Sequence, residues 1–454
     1  MERLSDVARR LDAPLHGADH EFTRVATDTR TLRQGDLYVA LSGENFDGHE
    51  FIASARAAGA VGALVSRRVD DELPQLLVDD TLVGLQNYAA SWRADFDLPV
   101  VGVTGSNGKT TTKQMLASIF AARGPVLATA GNLNNHIGVP LTLLGLRAEH
   151  RTAVIEMGAN HPGEIALLAH LSRPDVAVVT NAGDAHLEGF GSREGVARAK
   201  GELYQALRGG VAAINQDDAY APLWRDFAAQ SSIISFGFDE HADVRAGSAQ
   251  PHPPQAPTGM RFTLHAQEGR VGVNLPLPGR HNVTNALAAA ACGVALGMDL
   301  AEIASGLAGF EAPAGRLAWK ATPEGARLLD DTYNANPTSL AAGMELLAGL
   351  PGEHWLILGA MAELGPDAAR LHFEAGRHAR ELGIDRLFGL GGLAAEAIKG
   401  FGPGAVWFDD AQELADSVRR QLSKDVAVLV KGSRSARMER VVAALCGVAV
   451  SGGH

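Results

Sequence analysis

Eight consecutive residues, Gly105-Ser106-Asn107-Gly108-Lys109-Thr110-Thr111-Thr112, set two glycines, a lysine and several hydroxyls at a spacing suited to phosphate chemistry. The backbone N–H groups of such a turn can converge on an anion, Lys109 can neutralise terminal phosphates, and the Thr110 hydroxyl can ligate Mg²⁺. The pattern has this meaning only when a strand leads in and a helix leads out. Both conditions are expected here. The apolar run at 98–103 reads as a buried parallel strand, and Met115, Leu116, Ile119 and Phe120 recur at helical spacing. The general phosphate-loop pattern has glycine five residues before Gly108, where this chain has Val103.

Other chemistry-bearing residues follow apolar runs. Glu156 closes an expected strand, and carboxyl ends of parallel strands face the ligand crevice, so its carboxylate could take Mg²⁺. His186 lies in Asn181-Ala-Gly-Asp-Ala-His186 after another such run; a metal or phosphate role competes with a capping or core one. Lys200 interrupts the apolar face of a helix, where a lysine is usually a snorkelling surface residue. Asn282 and Asn285 stand three apart at a helix start, where amides can read a base edge or simply cap the helix. The run Asp330-Asp331-Thr332-Tyr333-Asn334-Ala335-Asn336-Pro337 is unusually polar for a connection and is expected to be a ligand loop.

The elements that must position these groups form an α/β chain. At 454 residues, roughly three domains are expected. Residues 1 to about 80 read as a small α/β unit with strands at 37–41 and 62–66. From there strands at Thr152–Glu156, 176–180, Val211–Asn215 and 232–235 alternate with helices, the signature of a parallel sheet covered on both faces. Residues 249–258 read as a Pro-rich exposed loop, 261–275 as a hairpin, and 282–296 as an Ala-rich helix. Beyond Pro313, strands at 327–330, 355–358, Arg386–Leu390 and 426–430 form a doubly wound set.

A net charge of −12 argues against general nucleic-acid binding. No run of about twenty apolar residues appears, and the N-terminus has no signal-peptide core. A cytoplasmic chain without membrane contact is expected. Cys292 and Cys446, the only cysteines, read as core fillers.

Residues 105–112, 131–140, Glu156-Met157-Gly158, 184–189, Gly279-Arg280-His281-Asn282, 331–337 and 429–434, with Asp28-Thr29-Arg30 and Asp47-Gly48-His49, together resemble the Mur ligases. The resemblance implies a small N-terminal UDP-binding domain (1–81), a central P-loop ATPase domain (82–312) and a C-terminal Rossmann-like ligase domain (313–454). It implies that Gly105, Ser106, Asn107, Gly108, Lys109, Thr110 and Thr111 hold ATP phosphates, and that Thr110 and Glu156 share one Mg²⁺. His186 would hold a second with a carbamylated Lys200. Asn282 and Asn285 would contact adenine, Arg316 and Asp331 the nucleotide phosphate and ribose. Thr27, Arg30, Asn45 and His49 would take the UDP end of the substrate, with Asn134, Asn135, Asn334 and Asn336 also on the substrate side. The implied partners are UDP-N-acetylmuramoyl-tripeptide and D-alanyl-D-alanine, joined by a monomeric, ATP- and Mg²⁺-dependent amide ligase in peptidoglycan precursor synthesis.

Three alternatives remain at this point. The sister ligase adding the third residue is expected to carry Asp-Asn-Pro-Arg, whereas here Asn334-Ala335-Asn336-Pro337 has no arginine following. Folylpolyglutamate synthase lacks this type of N-terminal domain. A nucleotide-binding regulatory protein with a dead site would not be expected to keep Lys109, Thr110, Glu156, His186 and Lys200 together.

Overall fold

The computed structural model describes residues 2–253, 258–267 and 269–448. The chain divides into two units.

The first unit holds Met1–Gly102, Arg123–Gly158 and Glu164–Asp175. Its five-stranded sheet runs Leu15–His16, Gln75–Leu77, Gly62–Val65, Asp36–Val39, Arg24–Ala26. All pairs are parallel except the first. Tyr38, Ala40, Ala63 and Val65 pack beneath Ile52 and Ala55 of the helix Ile52–Ala57. The helix Thr81–Arg93 starts where the Asp80 carboxylate accepts hydrogen bonds from the N–H groups of Leu82 and Val83, satisfying donors that a helix start leaves open. In the same unit Val126–Ala128 pairs in parallel with Thr152–Glu156.

The strand Val100–Thr104 carries the chain from the first unit to the second. The second unit holds Val103–Ala122, Ala159–Gly163 and Val176–His454. Val176–Val179, Val211–Asn215, Ser232–Gly237 and Val244–His252 pair in parallel, in that order. Two antiparallel strands, Gly259–Ala266 and Gly269–Leu275, extend this array. The Val/Ile/Ala-rich strands are buried on both faces, as parallel strands covered by helices must be. The helix Arg280–Ala295 packs on the helix Lys109–Phe120, small alanines allowing close approach.

A separate six-stranded sheet runs Ala318–Ala321, Arg327–Asp331, Val426–Lys431, Glu353–Gly359, Arg386–Leu390, Ala405–Phe408. It is parallel apart from the first pair. Leu328, Ile357, Val428, Leu414 and Val441 lie in its core.

One expectation is corrected. The Pro-rich stretch 249–258 is not wholly a loop: Gln250, Pro251 and His252 continue a strand opposite Arg261, Met260 and Gly259, after an irregularity past Gly247. Residues 254–257 lie outside the described residues. Proline is tolerated there because the neighbouring strand pairs only as far as Arg245, leaving that edge without a ladder partner to serve. Cys292 is buried and Cys446 partly so, both as free thiols, with burial pushing the Cys292 thiol up. Among the described residues, no helix is long and apolar enough to cross a membrane.

The helix Arg193–Gln205 is held by Trp224, which is wholly buried and donates its indole N–H to the Ala197 carbonyl at 3.0 Å. Trp224→Ala is expected to cost about 3–5 kcal/mol, read as a lowered urea midpoint; a shift below about 1 kcal/mol would show that the helix is seated by other contacts.

Candidate active site

The phosphate-loop sequence forms the expected turn in the second unit. Gly105 and Gly108 have φ of 141° and 80°, the second in the left-handed region that a side chain disfavours. Neighbours enforce the glycines. A Cβ built on Gly105 would lie 2.0 Å from the Thr180 hydroxyl, and one on Gly108 would lie 2.2 Å from Asn285 Oδ1. The strand end at 180–183 grips the loop. The Thr180 hydroxyl donates to the Asn107 carbonyl at 2.6 Å, Asn181 Nδ2 donates to the same oxygen at 3.0 Å, and the Asn107 N–H donates to Asn181 Oδ1 at 3.1 Å. The Gly183 N–H donates to the Ser106 hydroxyl at 2.9 Å. Lys109 Nζ folds back on the carbonyls of Gly105 (2.7 Å) and Ser106 (3.2 Å), which keeps the ammonium beside the turn. Thr110 and Thr111 are buried at the head of the following helix.

Residues from the C-terminal part of the unit converge on this loop. Arg316 donates from Nη2 to the Thr110 hydroxyl at 2.9 Å, and its guanidinium lies 4.2 Å from the Tyr333 ring centre. Asn336 caps the helix Pro337–Ala348 through its side-chain oxygen and donates from Nδ2 to Asn107 Oδ1 at 2.8 Å. The Asp184 N–H donates to the Thr338 hydroxyl at 3.2 Å. Asp331 pairs with Lys431, its neighbour in parallel register, and Lys431 also donates to the Asn334 carbonyl at 3.0 Å. Asn107 Nδ2 and Arg316 Nε are enclosed and have no acceptor. One enclosed donor on the glycine turn and one on the arginine beside it fit a polyphosphate, whose oxygens are acceptors only.

Asn282 and Asn285 are buried one helical turn apart. Asn285 Nδ2 donates to Asn282 Oδ1 at 3.1 Å, and Asn282 Nδ2 donates to the Pro278 carbonyl at 2.7 Å. The pair therefore supports the helix start, and Asn285 seats against the glycine turn. Lys200 departs from the snorkelling reading: it is fully buried, with Nζ 3.2 Å from the Ala159 carbonyl and 5.1 Å from the Phe190 ring centre. His186 (φ 55°) meets the other side of this neighbourhood, its ring edge-on to Phe190 at 6.5 Å. Its Nδ1 lies 2.5 Å from Glu363 Oε2. That contact holds the Glu363 carboxyl below its usual value.

In the first unit, Asn134 Nδ2 donates to Glu156 Oε1 at 2.8 Å, so two expected site residues meet there. Asn135 turns its side-chain oxygen to the N–H groups of Ile137 and Gly138. Arg30 is exposed and paired with Asp28 at 2.6 Å; Asn45 is exposed and Thr27 half-buried. His49 is buried with both ring nitrogens engaged, Nδ1 with Asp47 at 2.6 Å and Nε2 accepting the Ser66 N–H at 2.9 Å. Its imidazole thus shapes the loop and has no free nitrogen to offer a ligand.

For Mg²⁺, the Thr110 hydroxyl and Glu156 carboxylate are hard oxygen donors of the right chemistry. Among the described residues, no three His, Cys, Asp or Glu side chains converge. Lys431, Tyr333, Thr338 and Glu363 were missed as site residues by sequence reasoning. Tyr333 and Lys431 stood inside the runs 331–337 and 429–434 without being singled out, whereas Thr338 and Glu363 carried no signal.

A glycine-turn phosphate site of this build, approached by residues of a second parallel sheet, has the make-up of a nucleotide-binding enzyme. Sequence models described as Mur ligase family catalytic domain, Mur ligase middle domain, and Mur ligase glutamate ligase domain match residues 21–84, 103–293 and 315–434. The chain belongs to the Mur ligase family. It is 44% identical over 449 residues to the UDP-N-acetylmuramoyl-tripeptide–D-alanyl-D-alanine ligase of Escherichia coli, covering 98% of each chain. It also resembles a solved MurF from Acinetobacter baumannii (TM-score 0.91, 38% identity, 98% of each chain). A MurF ligase from Thermotoga maritima in complex with ADP matches with TM-score 0.83 and 29% identity, over 93% of this chain and 97% of that one.

Gly108→Ala is expected to weaken nucleotide binding at least about tenfold, or ~1.4 kcal/mol, because the methyl must displace Asn285 or open the turn. Calorimetric titration with ADP measures this; unchanged affinity would show that the turn does not hold phosphate.

Proposed function

We propose that this chain is an ATP-dependent amide ligase joining UDP-N-acetylmuramoyl-tripeptide to D-alanyl-D-alanine. The observation that carries the reading is the phosphate loop itself. Lys109, Thr110 and Arg316 gather around it, and Asn107 Nδ2 and Arg316 Nε are enclosed without acceptors. The relatives' names then supply the substrates, since the Escherichia coli relative aligns over nearly the whole chain. The same alignment favours D-alanyl-D-alanine over the single amino acid taken by the sister ligase, and it favours catalysis over a regulatory role.

The substrate's terminal carboxylate is a poor electrophile and needs activation. One carboxylate oxygen attacks the γ-phosphorus of ATP, the bond to the bridging oxygen breaks, and ADP leaves an acyl phosphate. The neutral amine of the dipeptide then attacks the acyl carbon, loses a proton, and expels phosphate. Lys109 and Arg316 offset the charge that builds on the transferred phosphoryl oxygens. The backbone N–H groups of the turn orient the phosphates. Asp331, held by Lys431, faces the ribose, and Asn282 and Asn285 lie on the adenine side. Thr27, Arg30 and Asn45 serve the UDP end, where His49 braces the loop instead of touching the ligand; Asn134 and Asn135 lie along the sugar–peptide arm, and Asn334 and Asn336 are on the substrate side. Mg²⁺, held by Thr110 and Glu156 with a second ion at His186 and Lys200, would supply charge neutralisation on the phosphates. Arg316 now donates to the Thr110 hydroxyl and must shift when that oxygen serves a cation. The organisation we propose is three domains (1–81, 82–312, 313–454) in a cytoplasmic monomer.

Phosphate release with UDP-linked tripeptide and D-alanyl-D-alanine tests the reading. Lys109→Ala is expected to lower turnover at least about a thousandfold while leaving affinity for the UDP substrate within about twofold, a change too small to reflect a lost charged contact. Turnover with diaminopimelate or lysine on the UDP-linked dipeptide, and none with the dipeptide acceptor on the tripeptide, would reverse the assignment.

Lys200 carries a second test. A neutral lysine amine adds to CO₂ and loses a proton, giving a carbamate that presents anionic oxygens in place of a cation. Lys200→Ala is expected to lose activity at least about a hundredfold, with partial recovery in bicarbonate plus short carboxylic acids. An active Lys200→Ala enzyme with unchanged Mg²⁺ dependence would sink the carbamate.

A further inference from the structure

Two residues with side chains in left-handed backbone conformation, His186 at φ 55° and Glu363 at φ 60°, point their side chains at each other. Such conformations are uncommon outside glycine, and they persist where surrounding structure holds them for a purpose. At Glu363 that structure is plain. The loop after the strand Glu353–Gly359 is tied on one side by Ser433, whose N–H and hydroxyl both donate to the Ala360 carbonyl at 2.9 and 2.8 Å. On the other side the Met361 N–H donates to Nε2 of the fully buried His372 at 2.9 Å. His372 in turn bonds the Ala368 carbonyl through Nδ1 at 2.7 Å. Buried Met361 and Leu364 anchor the loop into the core. Glu363, about half exposed, is the group this frame presents.

His186 Nδ1 is shut off from solvent and makes no hydrogen bond, and the Glu363 carboxylate oxygen lies 2.5 Å from it. Phe190 stands edge-on to the imidazole, and Lys200 lies against the same phenyl ring. The histidine's chemistry is therefore decided at Nδ1. A carboxylate oxygen can only accept, so a Glu363 drawn into line with the ring favours the proton on Nδ1 and leaves Nε2 its lone pair.

We infer that Glu363 is a positioning residue that fixes the Nδ1–H tautomer of His186, so that Nε2 is the atom offered to a cation. This rests on the reading of His186 as a site residue given above. Carboxylates behind metal-binding histidines act in this way, setting ring orientation and raising ligand basicity. The consequence is specific to this chain's topology. His186 follows a strand of the nucleotide-side sheet, whereas Glu363 follows a strand of the six-stranded sheet. His186 thus acquires its working tautomer only when the 360–365 loop stands against residues 184–190.

The test uses the full-length protein, labelled with ¹⁵N-histidine and free of metal, at pH 8, where an ordinary imidazole is neutral. His186→Ala assigns the signal. The Nδ1–H tautomer is expected in the parent and in Glu363→Gln, whose amide oxygen still accepts. Glu363→Ala is expected to shift His186 to a mixture dominated by the Nε2–H form. With ADP present, Mn²⁺ affinity read by electron paramagnetic resonance is expected to fall roughly 10- to 100-fold in Glu363→Ala, and to stay near parental in Glu363→Gln. An unchanged tautomer in Glu363→Ala would overturn the inference. So would a raised KM for D-alanyl-D-alanine with tautomer and Mn²⁺ affinity intact, which would make Glu363 a receiver of the incoming ammonium. If His186→Ala itself leaves Mn²⁺ affinity and turnover intact, the reading of His186 fails. Loss in His186→Ala with no effect in Glu363→Ala removes only the role given to Glu363.

Discussion

The glycine turn at residues 105–108 can meet an anion only if its backbone holds one shape, and the surrounding residues are arranged to secure that: Asn181 takes the N–H groups of Ser106 and Asn107 on its carbonyl and side-chain oxygens. The Asn107 carbonyl takes two donors from residues 180 and 181, and the carbonyls of Gly105 and Ser106 take the Lys109 ammonium. Asn285 and the Thr180 hydroxyl stand so close to Gly108 and Gly105 that only hydrogen fits. A loop held this way needs little reorganisation when an anion arrives, which is where preorganised electrostatic stabilisation gets its effect.

That grip depends on residues far apart in sequence. The strand end at 180–183 clamps a loop some 75 positions earlier, and Asn285 comes from a helix nearly 180 positions later. The C-terminal part adds its own ties: Arg316 on Thr110, Asn336 on Asn107, Thr338 on Asp184, and Glu363 against His186. Three land on loops that follow strands and the fourth on the head of the helix after the glycine turn, at the edge where such folds place their ligand crevice. The charges are ordered accordingly. Lys431 is neutralised by Asp331 in the strand register, whereas Lys109 is folded onto the carbonyls of the glycine turn and Arg316 onto the Thr110 hydroxyl, which keeps both cations beside the turn.

Burial also sorts the histidines. His49 and His372 have both ring nitrogens committed and act as internal braces. His186 keeps one nitrogen uncommitted in the contacts described, and it sits on a left-handed residue beside the phosphate loop. The same residue type is a strut in two places and a candidate ligand in the third, and only the partner list separates them.

What the sequence by itself determined was local. Apolar runs located Val211–Asn215 and Arg386–Leu390 to the residue, and the phosphate loop was readable because its glycines, lysine and threonine act within one turn. The residue pattern also carried the family. Short strands such as Val126–Ala128 and Ala318–Ala321 went unread, because three or four residues are too few for a period to emerge. The strand through Pro251 was hidden by a composition that signals a loop. Tertiary structure alone decided that Lys200 is buried, that His49 has no free nitrogen, and that Glu363 reaches His186. The reason is physical: periodicity reports which face of an element meets the core, but not which side chain from another element will be waiting there.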